Sequence, residues 1–282
     1  MSSRLKSELM LFLAPLIWGA SFAVTKGSLD AVGPNWLLSY RFILATVFTT
    51  VLVRKNIREL DRRTVRDGIQ IGIVLYLVQF FQTVGMLYTT AGKSAFLTAT
   101  YVVMTPFVVW IAFRQKPLKR QFAGGVLSLI GVGLISLNNE GFGMGKGELL
   151  TLIAGLLCAV SYVQMKSATE RCNVVLLSWI QMIVCTVLST GMAAVTEKPV
   201  LSLGLSGWAA MIFLGVIASG VANIFQNAGL KYATPSHASL VFALEAVFGV
   251  VFGVLLLHEP LEARMLAGSA IVFAAIVISR EK

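Results

Sequence analysis

The chain has 282 residues, 57% of them hydrophobic and only 13% charged, with a formal net charge of +10. Soluble domains carry roughly 25% charge, so there are too few polar side chains here to cover a water-facing surface, and lipid is the expected solvent. The basic excess falls in short loops with no groove of interleaved aromatics, which excludes nucleic acid as its partner.

Ten apolar segments of the length that crosses a ~30 Å hydrocarbon core as helix follow one another. They lie near residues 9–25, 36–53, 69–88, 94–113, 122–137, 149–165, 174–194, 208–230, 237–257 and 265–279. The runs are continuously apolar and lack the alternation of barrel strands. The expected fold class is an all-α integral membrane protein with ten transmembrane helices. Arg4 and Lys6 ahead of span 1 imitate the start of a signal peptide, but the apolar run is long and no small-residue cleavage site follows, so the segment is read as retained.

Taken in order, span 1 carries Trp18 and Ser21, and span 2 carries Arg41 beside Trp36 and Tyr40 near its outer end, from where the guanidinium is expected to snorkel to the interface. Span 3 sets Tyr76, Gln79 and Gln82 at i, i+3 and i+6, and span 4 places Thr98, Tyr101 and Thr105 on one face. Between spans 5 and 6, Gly143, Gly145 and Gly147 read as a flexible link; the spacing and the flanking strand of a phosphate loop are missing. Span 6 adds Ser161, Tyr162 and Gln164, and span 8 adds Asn223, Gln226 and Asn227. Span 9 holds Glu245 nine residues in, about 13 Å deep at 1.5 Å per residue. A carboxylate at that depth needs a cation or a proton, so both a coupling proton and a substrate ammonium are open readings.

Lys and Arg decide the orientation. With the N-terminus inside, seventeen of the 23 fall in inside segments and five outside, while Arg41 lies within a span. Cytoplasmic loops carry this excess, so both termini are expected in the cytoplasm. Lys26, Lys93, Lys166 and His237 sit near span ends, where solvation is the default. Small pairs four apart (Gly68/Gly72, Gly124/Ser128, Gly215/Ser219, Gly249/Gly253) mark close helix approach. Cys158, Cys172 and Cys185 have no metal-site spacing and read as reduced packing residues. With two imidazoles, His237 and His258, no hydrolytic triad is legible, and neither a cofactor nor a metal is called for.

The chain also repeats itself. "FQTVGMLYTTAGKSAFL" (81–97) returns as "FQNAGLKYATPSHASLV" (225–241), "KPLKRQFAGG" (116–125) as "EPLEARMLAG" (259–268), and "GASFAVTK" (19–26) as "AVSYVQMK" (159–166). Two five-span units, 1–140 and 141–282, follow. Because five is odd, the second enters the membrane from the opposite side, the arrangement that lets a transporter reach outward-open and inward-open states around a central site.

"LIWGASFAVTK", "SYRFILA", "AGKSAFLTATYVVMTPF" and "LVFALEAVFGVVFGVLLLHEPL" resemble the EamA-type permeases of the drug/metabolite transporter superfamily. The resemblance covers the whole chain. It implies ten helices in two inverted five-helix repeats, and a multi-pass transporter of the bacterial inner membrane that exports amino acids, metabolites or drugs. Where many members have Glu-Pro in span 9 this chain has Glu245-Ala246, which removes the reason to expect a kink there.

Trp18, Ser21, Tyr76, Gln79, Gln82, Tyr101, Tyr162, Asn223, Gln226 and Glu245 are thus the expected substrate-binding set, with Arg41 a gating or structural charge. The leading reading is a secondary transporter of small amphipathic metabolites, with a small-molecule substrate, the bilayer and protons as partners. A membrane-embedded enzyme lacks its acid–base or metal constellation, and a passive channel or scaffold does not need inverted repeats with buried charge.

Overall fold

The computed structural model describes residues 3–114, 116–136, 144–200, 202–232 and 241–278, and among them every regular element is helical. Ser3–Ser28 (α1), Pro34–Val53 (α2) and Arg62–Gly85 (α3) come first. Ala91–Ala99 (α4), Tyr101–Phe113 (α5) and Lys119–Ser136 (α6) complete the first half. The second half opens with Lys146–Thr169 (α7) and Val174–Thr196 (α8). Gly204–Ile212 (α9), a π-helical stretch Phe213–Val221 and Ala222–Tyr232 (α10) run on as one rod, followed by Leu244–Leu257 (α11) and Ala263–Ile278 (α12).

Seven helical stretches are long and apolar enough to cross a membrane; α11 and α12 are apolar but shorter. The remaining predicted span, α6, opens on Lys119-Arg120-Gln121, which dilutes its apolarity. His237, Glu140, Gly143 and the end of the second Gln-Gly-Tyr motif lie outside the described residues.

Each half does most of its packing on the other. α1 lies along α11 and α10, α2 along α8, α3 along α7 and α8, α4 along α11, α5 along α7, and α6 along α12. Small residues permit this closeness. A Cβ on Gly72 would stand 2.9 Å from Val184 Cβ, one on Gly68 2.8 Å from Ile180 Cβ, and one on Gly249 would collide with the Ala95 side chain. Gly147, expected as part of a flexible link, is instead a contact point: its Cβ position is 2.8 Å from the Tyr88 carbonyl carbon.

Two backbone irregularities recur 143 or 144 residues further along the chain. The α4/α5 rod breaks at Thr100, whose N–H and hydroxyl both turn back to the Leu97 carbonyl at 3.4 and 2.6 Å. The α11 rod breaks at Ala243, and Ala246 N–H donates to the Ala243 carbonyl just as Val103 N–H donates to that of Thr100. The break near Glu245 therefore exists without the proline. Arg114 and His258, 144 apart in the numbering, end their helices at positive φ (60° and 55°).

Candidate functional site

A cavity of about 70 Å³ lies where α1, α2, α3, α4, α7, α8, the π-helical stretch, α10 and α11 converge. Of the eleven residues singled out in the sequence, Trp18, Ser21, Arg41, Gln79, Gln82, Tyr162, Asn223, Gln226 and Glu245 line it. Tyr76 does not. Steps of three residues turn a helix face by about −60° each, so Tyr76 is far around α3 from Gln82; its ring packs in the buried cluster of Leu38, Phe42, Met182 and Cys185. Tyr101 stands one layer away, its ring 4.8 Å from that of Tyr162.

The two charges occupy one cavity without meeting. Glu245 is 5% exposed and Arg41 3%. No ion pair joins them among the described residues. Arg41 does not snorkel outward: its Nε donates to Ser219 Oγ. Trp18 Nε1 donates to the neighbouring Ala218 carbonyl at 3.0 Å. Both acceptors belong to the π-helical stretch, whose wider turns release main-chain groups from the regular ladder. Gly215 in that stretch lets α2 approach, its Cβ position being 2.7 Å from the Arg41 carbonyl oxygen. Ala218 and Ser219 are among the site residues that sequence reasoning missed, and Cys158, read as a packing residue, also lines the cavity. The signal that marked Ser219 was a packing signal, the Gly215/Ser219 pair.

The amides divide between lining and bracing. Gln82 Nε2 donates to Thr98 Oγ1 at 3.1 Å, and Asn227 Nδ2 donates to Ser178 Oγ at 2.8 Å and Asn223 Oδ1 at 3.1 Å. Asn227 is thus a strut behind the lining Asn223. Aromatic rings floor the Glu245 side: Tyr162 stacks on Phe242 at 5.9 Å and 14°, and Trp18 lies 5.9 Å from the same ring.

Carboxylates of the second half fasten helix starts of the first on one face of the bundle. Glu197 accepts from Asn35 N–H at 3.0 Å, Asn35 Nδ2 at 2.9 Å and Trp36 N–H at 3.2 Å. Glu259 accepts from Ala91 and Gly92 N–H at 2.6 and 3.0 Å. Such N–H groups are the orphan donors of a helix N-terminus, and negative charge there is favourable. Glu148 takes the Thr89 hydroxyl at 3.3 Å and faces Lys93 Nζ at 3.9 Å, so Lys93 points into a buried pair and not into solvent. Lys26 Nζ reaches the Met86 carbonyl at 2.6 Å on this Glu197 face. On the opposite face the matching link is Asn173 Nδ2 to Glu59 at 2.7 Å, an exposed side-chain bond.

Compared with known proteins, residues 5–137 and 145–280 each match the EamA-like transporter family. An uncharacterized transporter of Archaeoglobus fulgidus is 30% identical over 98% of this chain and 86% of its own. An S-adenosylmethionine/S-adenosylhomocysteine transporter of Chlamydia muridarum is 25% identical over 67% of this chain and 63% of that protein. A crystal structure at 18% identity shares the fold, with a TM-score of 0.70 over 96% of this chain and 95% of the other.

Proposed function

We propose, for a chain that belongs to the EamA-like transporter family, that it is a secondary active transporter whose cargo is a small amphipathic zwitterion. The observation that carries this reading is the pair Arg41 and Glu245, both buried in one polar cavity with no ion pair between them. Burying unmatched charge is costly. A solute with an ammonium for Glu245 and a carboxylate for Arg41 offsets both costs at once. The rings of Trp18, Tyr162 and Phe242 suit a planar apolar body next to that head. S-adenosylhomocysteine, named with S-adenosylmethionine for the chlamydial relatives, has this make-up, an amino-acid zwitterion with a heteroaromatic base, and S-adenosylmethionine adds a sulfonium charge to it.

At about 70 Å³ the cavity holds a few waters, far below the ~300 Å³ where small-molecule sites begin. The solute therefore enters in another conformation, which alternating access supplies. Support for two inverted five-helix repeats, 1–140 and 141–282, comes from the twin breaks at Thr100 and Ala243 and the twin helix ends at Arg114 and His258. The positive-inside excess favours the Glu59 face and both termini on the cytoplasmic side and the Glu197 face outside, and the family resemblance implies a bacterial inner membrane. Export is the direction the family resemblance implies.

Proteoliposomes loaded with radiolabelled S-adenosylmethionine or a neutral amino acid test the cargo by counterflow. Saturable exchange that is lost in both Arg41→Gln and Glu245→Gln is expected; exchange indifferent to both substitutions sinks the zwitterion reading. A lone midplane carboxylate also favours a second role, carrying the coupling proton. Should Glu245 carry the proton instead of the cargo ammonium, Glu245→Gln would abolish pH-gradient-driven transport while exchange at equal pH survives, and that outcome counts against the ammonium contact.

A further inference from the structure

Next to the central cavity lies a larger one, about 390 Å³, walled by α5, α7, Leu230 and Phe242. Its volume falls within the ~300–1,000 Å³ of small-molecule sites. Tyr162 lines both cavities, and the Tyr101–Tyr162–Phe242 layer forms the partition between them. From Tyr162 the space follows α7 past Lys166 to Glu170, about 12 Å of helix axis at 1.5 Å per residue. Its walls are mainly apolar, with Val109, Phe113 and Val163 among them.

The ionised groups lining it, among the described residues, are Lys166 and Glu170, and they stand at the end away from the aromatic partition. Lys166 Nζ is 3.0 Å from Glu170 Oε1 and only 3.4 Å from the Leu230 carbonyl. The carboxylate partner is more than half exposed, and such surface pairs are worth little. An ammonium with three donors, one of them on a long carbonyl contact, has room for a second anion.

We propose that this vestibule binds a planar aromatic carboxylate, its ring against the Tyr101–Tyr162–Phe242 layer and its carboxylate on Lys166 Nζ. The site shares the Tyr162 and Phe242 rings with the cargo site as a common partition but none of its charges: an aryl carboxylate without an ammonium leaves Glu245 unmatched in the central cavity. The inference therefore stands or falls separately from the zwitterion reading.

Purified full-length protein in phosphatidylcholine nanodiscs, titrated with indole-3-acetate and read by saturation-transfer difference NMR against empty nanodiscs, tests it. Saturable binding is expected in the wild type and in Glu245→Gln. Lys166→Gln should weaken it about tenfold, the loss of one charged hydrogen bond. Val163→Trp, or Val163→Phe should the first not fold, should fill the space and abolish binding. Tryptamine, the same ring bearing a cation, should bind much more weakly. No saturable binding, equal binding of tryptamine, binding that survives both Lys166→Gln and the filled variant, or binding lost in Glu245→Gln would overturn the proposal.

Discussion

Gln82 and Gln226 occupy the same place in the repeated motif but different bonding positions. Gln82 is tied to Thr98 Oγ1 at 3.1 Å, whereas Gln226 lines the cavity against the Tyr162 phenol. Gln82→Leu removes a buried interhelical bond, a loss of about 1–3 kcal/mol where a partner is left unsatisfied. It should lower both the melting temperature and transport. Gln226→Leu should depress transport with a smaller change in melting temperature, measured on protein recovered after size exclusion. If folded Gln82→Leu protein keeps full specific activity, Gln82 is a packing residue only. The spacing of the motif made both amides legible; which one is braced depends on the neighbouring helix. For Tyr76, the sequence stripe overstated the match, because helical drift over six residues carries it off the lining face.

Among the elements, close contacts were easier to read than helix breaks. Asp61 caps α3 by accepting from Thr64 N–H at 2.7 Å. The Thr64 side chain, together with that backbone bond, holds its carboxyl below the ordinary value of 3.8. A lowered folded value means the contribution is complete above the ordinary value and is lost as pH falls through the folded one. The wild type should therefore lose thermal stability on acidification below about pH 4 more steeply than Asp61→Asn, whose amide caps without titrating. Gly249→Ala probes the close contact of α11 with α4. Its new methyl would meet Ala95, and overpacking of this kind costs about 1–3 kcal/mol. A melting temperature equal to wild type would mean the two helices separate freely. The Ala243 break, by contrast, has no proline to announce it.

At the scale of the whole molecule, the two faces are fastened unequally. Glu197 and Glu259 grip main-chain N–H groups of the opposite half, while Glu59 holds one exposed side chain. Releasing the Glu197 face should shift the population toward a state open on that side. The doubly substituted Glu197→Gln, Glu259→Gln protein should then show faster reaction of Cys158, which lines the central cavity, with an impermeant thiol reagent added outside intact cells. Unchanged reactivity would mean these carboxylates cap helices without gating. Orientation itself is checked by cysteines at Lys198 and Arg63: the first should label from outside and the second should not. Labelling at Arg63 in sealed cells would reverse the assignment and the pairing of the halves with it.

Composition and run length were enough to read a helical membrane protein, because lipid leaves a chain few ways to satisfy its backbone and each helix carries its own apolar signal; the transporter type rested on the motifs that resemble the EamA family, which the family match bears out. Most of the polar lining residues were legible as well, since polar groups in apolar spans are rare and need a reason. Three things waited on the tertiary structure. Arg41 turns inward because a π-helical stretch 178 residues away offers Ser219. Lys93 pairs with Glu148 because α4 and α7 meet at one face. The halves interleave, most helices packing mainly on the other half. All three are contacts between segments far apart in the chain, and periodicity, being local, carries no information about which distant helix will supply the partner.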